Sequence, residues 1–226
     1  MRWIKRLLRD MQEFAERRLI GSALQSVLWR YRHFYKRGWA EGYLETVDHP
    51  HRQQLVEAVA AFDSVASVLE VGCASGANLI RLRERFPNAE LIGLDINARA
   101  VQVGRRCFAD RGDTRVRFLN AQAEQIKMLE PRSVDVVIAD AVLMFVTPDR
   151  IRSVISEMAR VARKGIVLNE YHGDGLDDGH FVGGRWVYDF VALVRKELPQ
   201  ARIQFRKSCF VGGAWDVYGT LIEVHL

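Results

Sequence analysis

The sequence predicts a doubly wound α/β fold, in which helices cover both faces of a mostly parallel, seven-stranded sheet. Short apolar runs alternate with longer helical patterns from about residue 51 onward, the order expected of strand–helix units. The first apolar run ends in a glycine turn, a feature that follows the first strand of many such sheets. The last two strand-like runs are joined by a short loop, which predicts an antiparallel last strand.

Each element is predicted from its own local pattern. Apolar runs predict the strands, at residues 68–71, 91–95, 116–119, 134–139, 166–169, 202–206 and 218–224. Longer periodic stretches predict the helices, at residues 51–62, 77–86, 98–111, 147–163 and 185–198. Pro50, Asn97 and Thr147 are residues typical of helix starts. A glycine- and acid-rich loop, residues 173–184, separates the fifth strand from the last helix.

The composition is that of an ordinary globular enzyme. The 226 residues are 49% hydrophobic and 27% charged, enough for one sizeable core. No run of 18 apolar residues is present and no long apolar stretch follows the first charges, so we expect neither a membrane span nor a secretory signal. Three scattered cysteines, Cys73, Cys107 and Cys209, predict neither a disulfide framework nor a metal cluster, and they fit a cytoplasmic protein.

The positive charge is concentrated at the start of the chain. Residues 1–40 hold ten Lys/Arg and three Asp/Glu, a net +7 in a chain whose total is +5. Residues 2–19 follow an amphipathic helical pattern. Such a helix packs on its own domain or on a second subunit of a homodimer; a basic one is also suited to the inner surface of a membrane. We therefore divide the chain into a basic helical extension, 1–50, and a catalytic domain, 51–226.

The glycine turn at residues 68–79 predicts a nucleotide-type cofactor site. Gly72 and Gly76 permit backbone angles that other residues avoid, and they let a ligand lie against the main chain. The free N–H groups of the following helix favour polar or anionic groups. A dinucleotide fingerprint starting at Gly72 would need glycine where the chain has Ala74 and Ala77. Two glycines alone are also compatible with an ordinary strand-to-helix turn.

The turn resembles motif I of the class I S-adenosylmethionine-dependent methyltransferases, E-x-G-x-G-x-G. Glu70, Gly72 and Gly76 match the motif, and Ala74 replaces its middle glycine. The second strand supports this interpretation, because Asp95 lies 19 residues after Gly76, close to the spacing at which an acid meets a ribose. A carboxylate there accepts hydrogen bonds from ribose hydroxyls, and in this family the acid at that position does so.

The resemblance covers about residues 51–226 and implies a Rossmann-like fold that binds S-adenosylmethionine. Gln122 stands where the family usually has an acid beside the adenine, and Arg52, in the helix before the first strand, is placed to meet the methionine carboxylate. The implied cofactor-binding residues are Arg52, Glu70, Gly72, Cys73, Gly76, Asp95, Ile96, Gln122, Ala123 and Asp140.

Candidate catalytic residues follow the fourth and fifth strands, where the acceptor lies in this fold. His172 is the first candidate for a general base, because neutral imidazole accepts a proton near physiological pH. Glu170 and Asp140 are the alternatives, and His49 or His51 could face the substrate. A magnesium site like that of catechol-type enzymes would need an acid–amide pair where Tyr171 and His172 stand, so we expect no metal.

The predicted function is methyl transfer to a small-molecule or saccharide acceptor. Nucleic acid is not expected, because Asp140-Ala141-Val142-Leu143 lacks the [D/N]-P-P-[Y/F] tetrad of amino-methylating nucleic-acid enzymes. Two alternatives remain open at this stage. The basic N-terminus suits an RNA methyltransferase, and a cofactor-binding module without its own catalysis would share the same motifs.

Overall fold

The computed structural model describes residues 38–226. The predicted amphipathic helix at 2–19, with its membrane and homodimer interpretations, lies outside the described residues. The helices are α1 (Trp39–Leu44), α2 (Pro50–Ala60), α3 (Ala77–Arg85), α4 (Ala98–Asp110), α5 (Pro148–Val161), α6 (Phe190–Glu197) and α7 (Trp215–Tyr218). The strands are β1 (Ser67–Val71), β2 (Glu90–Asp95), β3 (Val116–Asn120), β4 (Val134–Asp140), β5 (Ala162–Tyr171), β6 (His180–Val182), β7 (Arg185–Val187), β8 (Arg202–Lys207) and β9 (Gly219–His225). Two 3₁₀ helices span Ala123–Met128 and Leu143–Phe145.

Seven strands form one twisted sheet in the order β3-β2-β1-β4-β5-β9-β8. Strands β1 to β5 pair in parallel, while β9 runs antiparallel to both β5 and β8. The chain moves outward from β1 to β3 and then returns to place β4 on the other side of β1. This reversal leaves a crevice at the carboxyl ends of β1 and β4, where open α/β sheets bind their ligands.

Two apolar layers cover the sheet because neighbouring strand residues point to opposite faces. On one face Leu69 packs with α5 and α6, through a cluster that includes Ile151 and Leu193. On the other face Val68 packs with α2, α3 and α4, through a second cluster that includes Leu55. Both layers are fully buried along the central strands, so the ends of β1 and β4 are held rigidly.

The predicted fold class is confirmed, including the antiparallel last strand. One element was predicted wrongly. The helix expected at 185–198 begins only at Phe190, because Arg185–Val187 pairs with His180–Val182 in a separate two-stranded sheet. Gly183 and Gly184 form the turn between them, with φ of 56° and 82°. Two consecutive positive φ values are typical of the tightest hairpin turn, and glycine adopts them readily.

The described part of the chain contains no helix that is long and apolar enough to cross a membrane. The division at residue 50 stays a prediction. Residues of the expected extension nevertheless contact the domain: Ser75 Oγ donates to the carbonyl oxygen of Ala40 at 2.7 Å, and Arg99 pairs with Glu41 at 2.9 Å.

Candidate active site

Two adjoining cavities open at the carboxyl ends of β1, β2 and β4. The larger has a volume of about 270 Å³ and extends beneath α1 and α2. The smaller, of about 70 Å³, extends toward the loop that follows β3. Gly72, Asp95, Val142 and Phe145 line both. The two cavities therefore adjoin at the crevice that the sheet topology creates.

The loop after β1 forms the floor of this site. Gly72 has φ 76°, and a Cβ at that position would clash with the side chain of Val142. Ala74 and Ala141 line the larger cavity with φ of 48° and 56°, a backbone region that residues other than glycine rarely adopt. Backbone strain of this kind persists only where the surrounding structure enforces it, and it is common at ligand sites.

Asp95, at the end of β2, connects the loop to both cavities. Its Oδ2 accepts from the N–H of Ala74 at 2.8 Å, and its Oδ1 accepts from the N–H of Asn97 at 2.7 Å. Burial raises the pKa of Asp95, against the lowering effect of these two N–H groups. Asn97 caps α4 as predicted, accepting from the N–H groups of Arg99 and Ala100. Each carboxylate oxygen of Asp95 keeps a free lone pair for a ligand hydroxyl.

The smaller cavity contains three of the predicted cofactor residues, Ile96, Gln122 and Ala123. Most of its remaining wall is apolar, from Val71, Leu94, Ala121 and Val146. The Gln122 side-chain oxygen accepts from Arg150 Nη2 at 2.9 Å, so the amide that replaces the family acid is itself held in place. A small cavity with largely apolar walls and a fixed amide suits a ring with polar edges.

A buried polar network lies under the larger cavity. Arg52 is only 2% exposed; its Nη1 donates to Asn78 Oδ1 at 2.7 Å, and its Nε donates to the carbonyl oxygen of Thr46 at 2.9 Å. Its guanidinium also lies 4.9 Å from the ring centroid of Tyr43. Burial lowers the pKa of Arg52, but Tyr43 and Asp140 outweigh it and raise that pKa overall. Arg52 is a permanent, rigidly held cation at the cavity wall.

Asp140, at the end of β4, is the centre of this network. Its Oδ2 lies 3.1 Å from His51 Nε2 and accepts from Asn78 Nδ2 at 2.9 Å, and its Oδ1 accepts from Asn169 Nδ2 at 2.7 Å. Burial would raise its pKa, but His51, Arg52 and Asn78 outweigh burial and lower it. The carboxylate therefore stays ionised and is poorly suited to accept a proton from an acceptor.

The predicted catalytic residues after β5 lie elsewhere. Glu170 is fully buried and accepts from the N–H groups of Val142, Leu143 and Met144 at 2.8, 2.8 and 3.2 Å. His172 lines neither cavity, because β5 continues through Tyr171 and the next residue turns beneath α6. There His172 Nδ1 accepts from the N–H of Phe190 at 3.2 Å. The proposal of His172 as base stays untested, and its position does not favour it.

Three predicted cofactor residues stand behind the cavity walls. Glu70 accepts from Asn78 at 2.7 Å, Cys73 is fully buried with burial raising its pKa, and Gly76 caps α3 with φ 88°. The other seven, Arg52, Gly72, Asp95, Ile96, Gln122, Ala123 and Asp140, line one or both cavities.

Aromatic side chains that the sequence did not single out as site residues form much of the wall of the larger cavity. They are Trp39, Tyr43, Phe145 and Phe210. Trp39 and Tyr43 precede the predicted domain, in a part of the sequence that is rich in aromatic residues. Phe210 comes from the loop between β8 and α7, and no local pattern links that loop to the crevice.

Residues 68–165 match the family model described as a methyltransferase domain. The match begins in β1 and runs into β5, so it spans the glycine turn, Asp95 and the end of β4. Residues 68–165, fewer than half of the 226, are therefore a methyltransferase domain.

The chain is similar to curated proteins over short segments only. It is 26% identical over 95 residues to the probable S-adenosylmethionine-dependent methyltransferase CRG1 of Saccharomyces cerevisiae, which is 42% of this chain and 32% of that one. The segments matched in three curated relatives span only 18%, 21% and 32% of those proteins.

Two solved structures show the same fold. One is the Burkholderia thailandensis 1,6-didemethyltoxoflavin-N1-methyltransferase with bound 1,6-didemethyltoxoflavin and S-adenosylhomocysteine, with TM-score 0.64 and 14% identity over 87% of this chain and 86% of that one. The other is the N-terminal domain of EvdMO1 in the presence of S-adenosylhomocysteine and D-fucose, with TM-score 0.58 and 19% identity over 79% and 82% of the two chains.

Proposed function

We propose that the methyltransferase binds S-adenosylmethionine across both cavities and transfers its methyl group to a small, planar acceptor held in the larger one. The observation that carries this proposal is that Gly72 and Asp95 line both of the adjoining cavities. A slot with apolar walls adjoins a wider chamber with a cation and aromatic walls. These are the surroundings required by a nucleoside, a charged amino-acid group and an acceptor.

The residues present fit the cofactor. Gly72 leaves the main chain bare at the junction, where a Cβ could not be accommodated. The Asp95 carboxylate would accept from the ribose hydroxyls, and the slot beside Ile96, Gln122 and Ala123 would hold the adenine. Arg52 would hold the methionine carboxylate, because its guanidinium lines the larger cavity and is held in place by hydrogen bonds to Thr46 and Asn78.

The acceptor end of the larger cavity favours an aromatic or heteroaromatic molecule. Trp39, Tyr43, Phe145 and Phe210 supply the kind of wall on which flat rings pack. The toxoflavin methyltransferase, which holds its acceptor together with S-adenosylhomocysteine, supports a small-molecule acceptor. The D-fucose in the EvdMO1 structure keeps a saccharide as the second candidate.

Cofactor binding is tested with Asp95→Ala. The variant should bind S-adenosylhomocysteine about 1.5–3 kcal/mol more weakly in calorimetry, because hydrogen bonds to a charged acceptor are lost. Asp178→Ala removes an exposed carboxylate of the 173–184 loop and should leave the affinity unchanged. Equal affinities of Asp95→Ala and the wild type would remove Asp95 from the ribose site. Preference of the wild type for a nicotinamide dinucleotide would overturn the proposed cofactor.

Acceptor classes are distinguished by transfer of a labelled methyl group. Wild-type protein is supplied with labelled S-adenosylmethionine and with hydroxylated aromatics, nitrogen heterocycles, monosaccharides or RNA. We expect label in the first two classes. Label in RNA, with binding that weakens steeply as salt rises, would instead support the RNA alternative. A purely cofactor-binding module would bind S-adenosylhomocysteine and label nothing; residues 173–184, which could have blocked the acceptor, line neither cavity.

A further inference from the structure

Two histidines and an aspartate form a continuous chain that ends at the larger cavity. His51 Nε2 lies 3.1 Å from Asp140 Oδ2, and His51 Nδ1 lies 2.5 Å from His49 Nδ1. His49 and His51 both line the cavity, at the start of α2. His51 is 2% exposed and Asp140 5%, whereas His49 is half-buried. The chain therefore runs from a buried carboxylate to an imidazole that a ligand can reach.

The protons of this chain can be assigned from its chemistry. Asp140 is ionised, so its contact with His51 requires a proton on His51 Nε2. A neutral His51 then has only a lone pair on Nδ1, and its short contact with His49 requires the proton on His49 Nδ1. This tautomer gives up the long 3.4 Å contact from the N–H of His51 to the same atom. It leaves His49 Nε2 as a lone pair, for which we find no hydrogen-bond partner within residues 38–226.

The surroundings keep that lone pair available. Phe210 packs against both imidazoles, with ring centroids 5.0 Å from His49 and 4.5 Å from His51. Burial lowers the pKa of His49, and the guanidinium of Arg52 in α2 lowers it further. Asp140, from β4, acts in the opposite direction. The balance favours neutral His49 at physiological pH.

We propose that His49 is the general base of the methyltransferase and that His51 and Asp140 are positioning residues that orient it. This inference rests on the proposed function. The acceptor oxygen or nitrogen forms a bond to the methyl carbon, the sulfonium–methyl bond breaks with its electron pair going to sulfur, and the acceptor proton goes to His49 Nε2. The imidazolium so formed donates from Nδ1 to His51, whose own Nε2–H is held by the Asp140 carboxylate.

The arrangement assigns an acceptor class as well as a base. The proton removed must come from an O–H or N–H group, because an imidazole is too weak a base for an unactivated C–H. The aromatic wall around His49 favours such a group on a flat ring. A phenol or a ring N–H therefore fits both the chemistry of the base and the shape of the cavity.

The first test observes the protons themselves. Two-bond ¹H–¹⁵N correlation spectra of the labelled full chain, followed over pH, report the tautomer and pKa of each histidine. We expect His49 protonated on Nδ1 with a pKa below the ordinary value, and His51 protonated on Nε2. In Asp140→Asn the pKa of His49 should fall further, because the carboxylate that raises it is gone. A neutral His49 that carries its proton on Nε2 would overturn the proposal.

The second test uses turnover on the acceptors that the wild type labels. His49→Gln should lower turnover about 10²–10⁴-fold, the contribution of a positioned base. It should leave S-adenosylhomocysteine affinity within about threefold, because glutamine keeps the size and polarity of the side chain. Imidazole in the medium should restore part of the activity of His49→Ala. His180→Gln, an exposed histidine of β6, is the matched control and should be unaffected.

The pH profile separates a base from a structural role. Wild-type turnover should rise tenfold per pH unit below the pKa of His49 and level off above it. His49→Gln should lose this dependence on pH. A His49→Gln turnover within about threefold of the wild type would exclude His49 as the base. If the wild type labels no acceptor, the proposed function fails, and the spectra alone decide whether the chain has the assigned tautomers.

Discussion

Glu70 is the residue whose environment departs most from what its sequence position indicates. It matches the acid of motif I, yet it lies behind the cavity wall and is 1% exposed. Asn78 Nδ2 donates to its Oε1 at 2.7 Å, and within residues 38–226 its Oε2 has no hydrogen-bond partner. Burial raises the pKa of Glu70 to about 8, against the lowering effect of Asn78, and the nearby Asp140 carboxylate adds to the rise.

This raised pKa predicts a pH-dependent stability. An unfolded glutamate ionises near pH 4.3, so between about pH 4.3 and 8 the folded state binds a proton that the unfolded state does not. The contribution of Glu70 to stability is therefore complete below pH 4.3 and is lost as pH rises toward 8, by at most about 1.4 kcal/mol per pH unit. Glu70→Gln mimics the protonated carboxyl and should not show this loss.

The measurement is urea unfolding of wild type and variant at pH 5, 6, 7 and 8. As pH rises, the free energy of unfolding of the wild type should fall relative to that of Glu70→Gln. The free energy of unfolding of Glu130→Gln, at an exposed carboxylate, should change with pH as that of the wild type does. Parallel curves for Glu70→Gln would mean that Glu70 is ionised in the folded protein at neutral pH.

At the scale of elements, the segment after β4 owes its shape to a side chain of β5. Glu170 accepts hydrogen bonds from three consecutive N–H groups, those of Val142, Leu143 and Met144. These N–H groups open the 3₁₀ helix Leu143–Phe145, and both cavities take Val142 and Phe145 as wall residues. A residue expected to act on the acceptor is in fact bound to the main chain that shapes the site.

Glu170→Ala should therefore weaken both the fold and the cofactor site. Leaving buried N–H groups unpaired costs about 1–3 kcal/mol each, so we expect the free energy of unfolding to fall by at least that amount. S-adenosylhomocysteine affinity should fall as well, because Val142 and Phe145 lose their fixed positions. Glu170→Gln keeps one acceptor oxygen, so its stability and its affinity should lie between those of the wild type and those of Glu170→Ala. Urea unfolding and calorimetry provide both readouts.

The opposite result is also informative. A Glu170→Ala protein of wild-type stability and affinity that transfers no methyl group would show that Glu170 acts on the acceptor and does not support the loop. Asp178→Ala, which removes an exposed carboxylate, is the control for any general effect of lost negative charge.

At the scale of the whole molecule, the sequence predicted the parts of the site that follow from strand ends. Gly72 comes directly after β1 and Asp95 ends β2, and parallel pairing of these strands brings their ends together. Their place in the fold therefore needs only the strand order. The hairpin of β6 and β7 could also have been predicted, since Gly183-Gly184 between Phe181-Val182 and Arg185-Trp186-Val187 is a strong turn signal.

The aromatic wall of the larger cavity could not be predicted in the same way. Phe210 reaches His49 because the loop after β8 is bound to α2: Cys209 N–H donates to Gln54 Oε1 at 2.7 Å, and Gln54 Nε2 donates to the carbonyl oxygen of Lys207 at 2.9 Å. These contacts join residues more than 150 positions apart. No local pattern encodes them, and His172 was preferred because it follows a strand end.

The final prediction concerns residues 1–20, which lie outside the described residues. They carry six Lys/Arg and three Asp/Glu, precede the first strand and contain none of the cofactor motif residues. Deletion of 1–20 should therefore leave S-adenosylhomocysteine affinity within about threefold.

Sedimentation with anionic liposomes at low salt tests the membrane interpretation, because a basic amphipathic helix binds such surfaces more weakly as salt rises. Equal sedimentation of the full and shortened chains would exclude that interpretation. Loss of cofactor affinity in the shortened chain would instead assign these residues to the site, and the boundary at residue 50 would then be wrong.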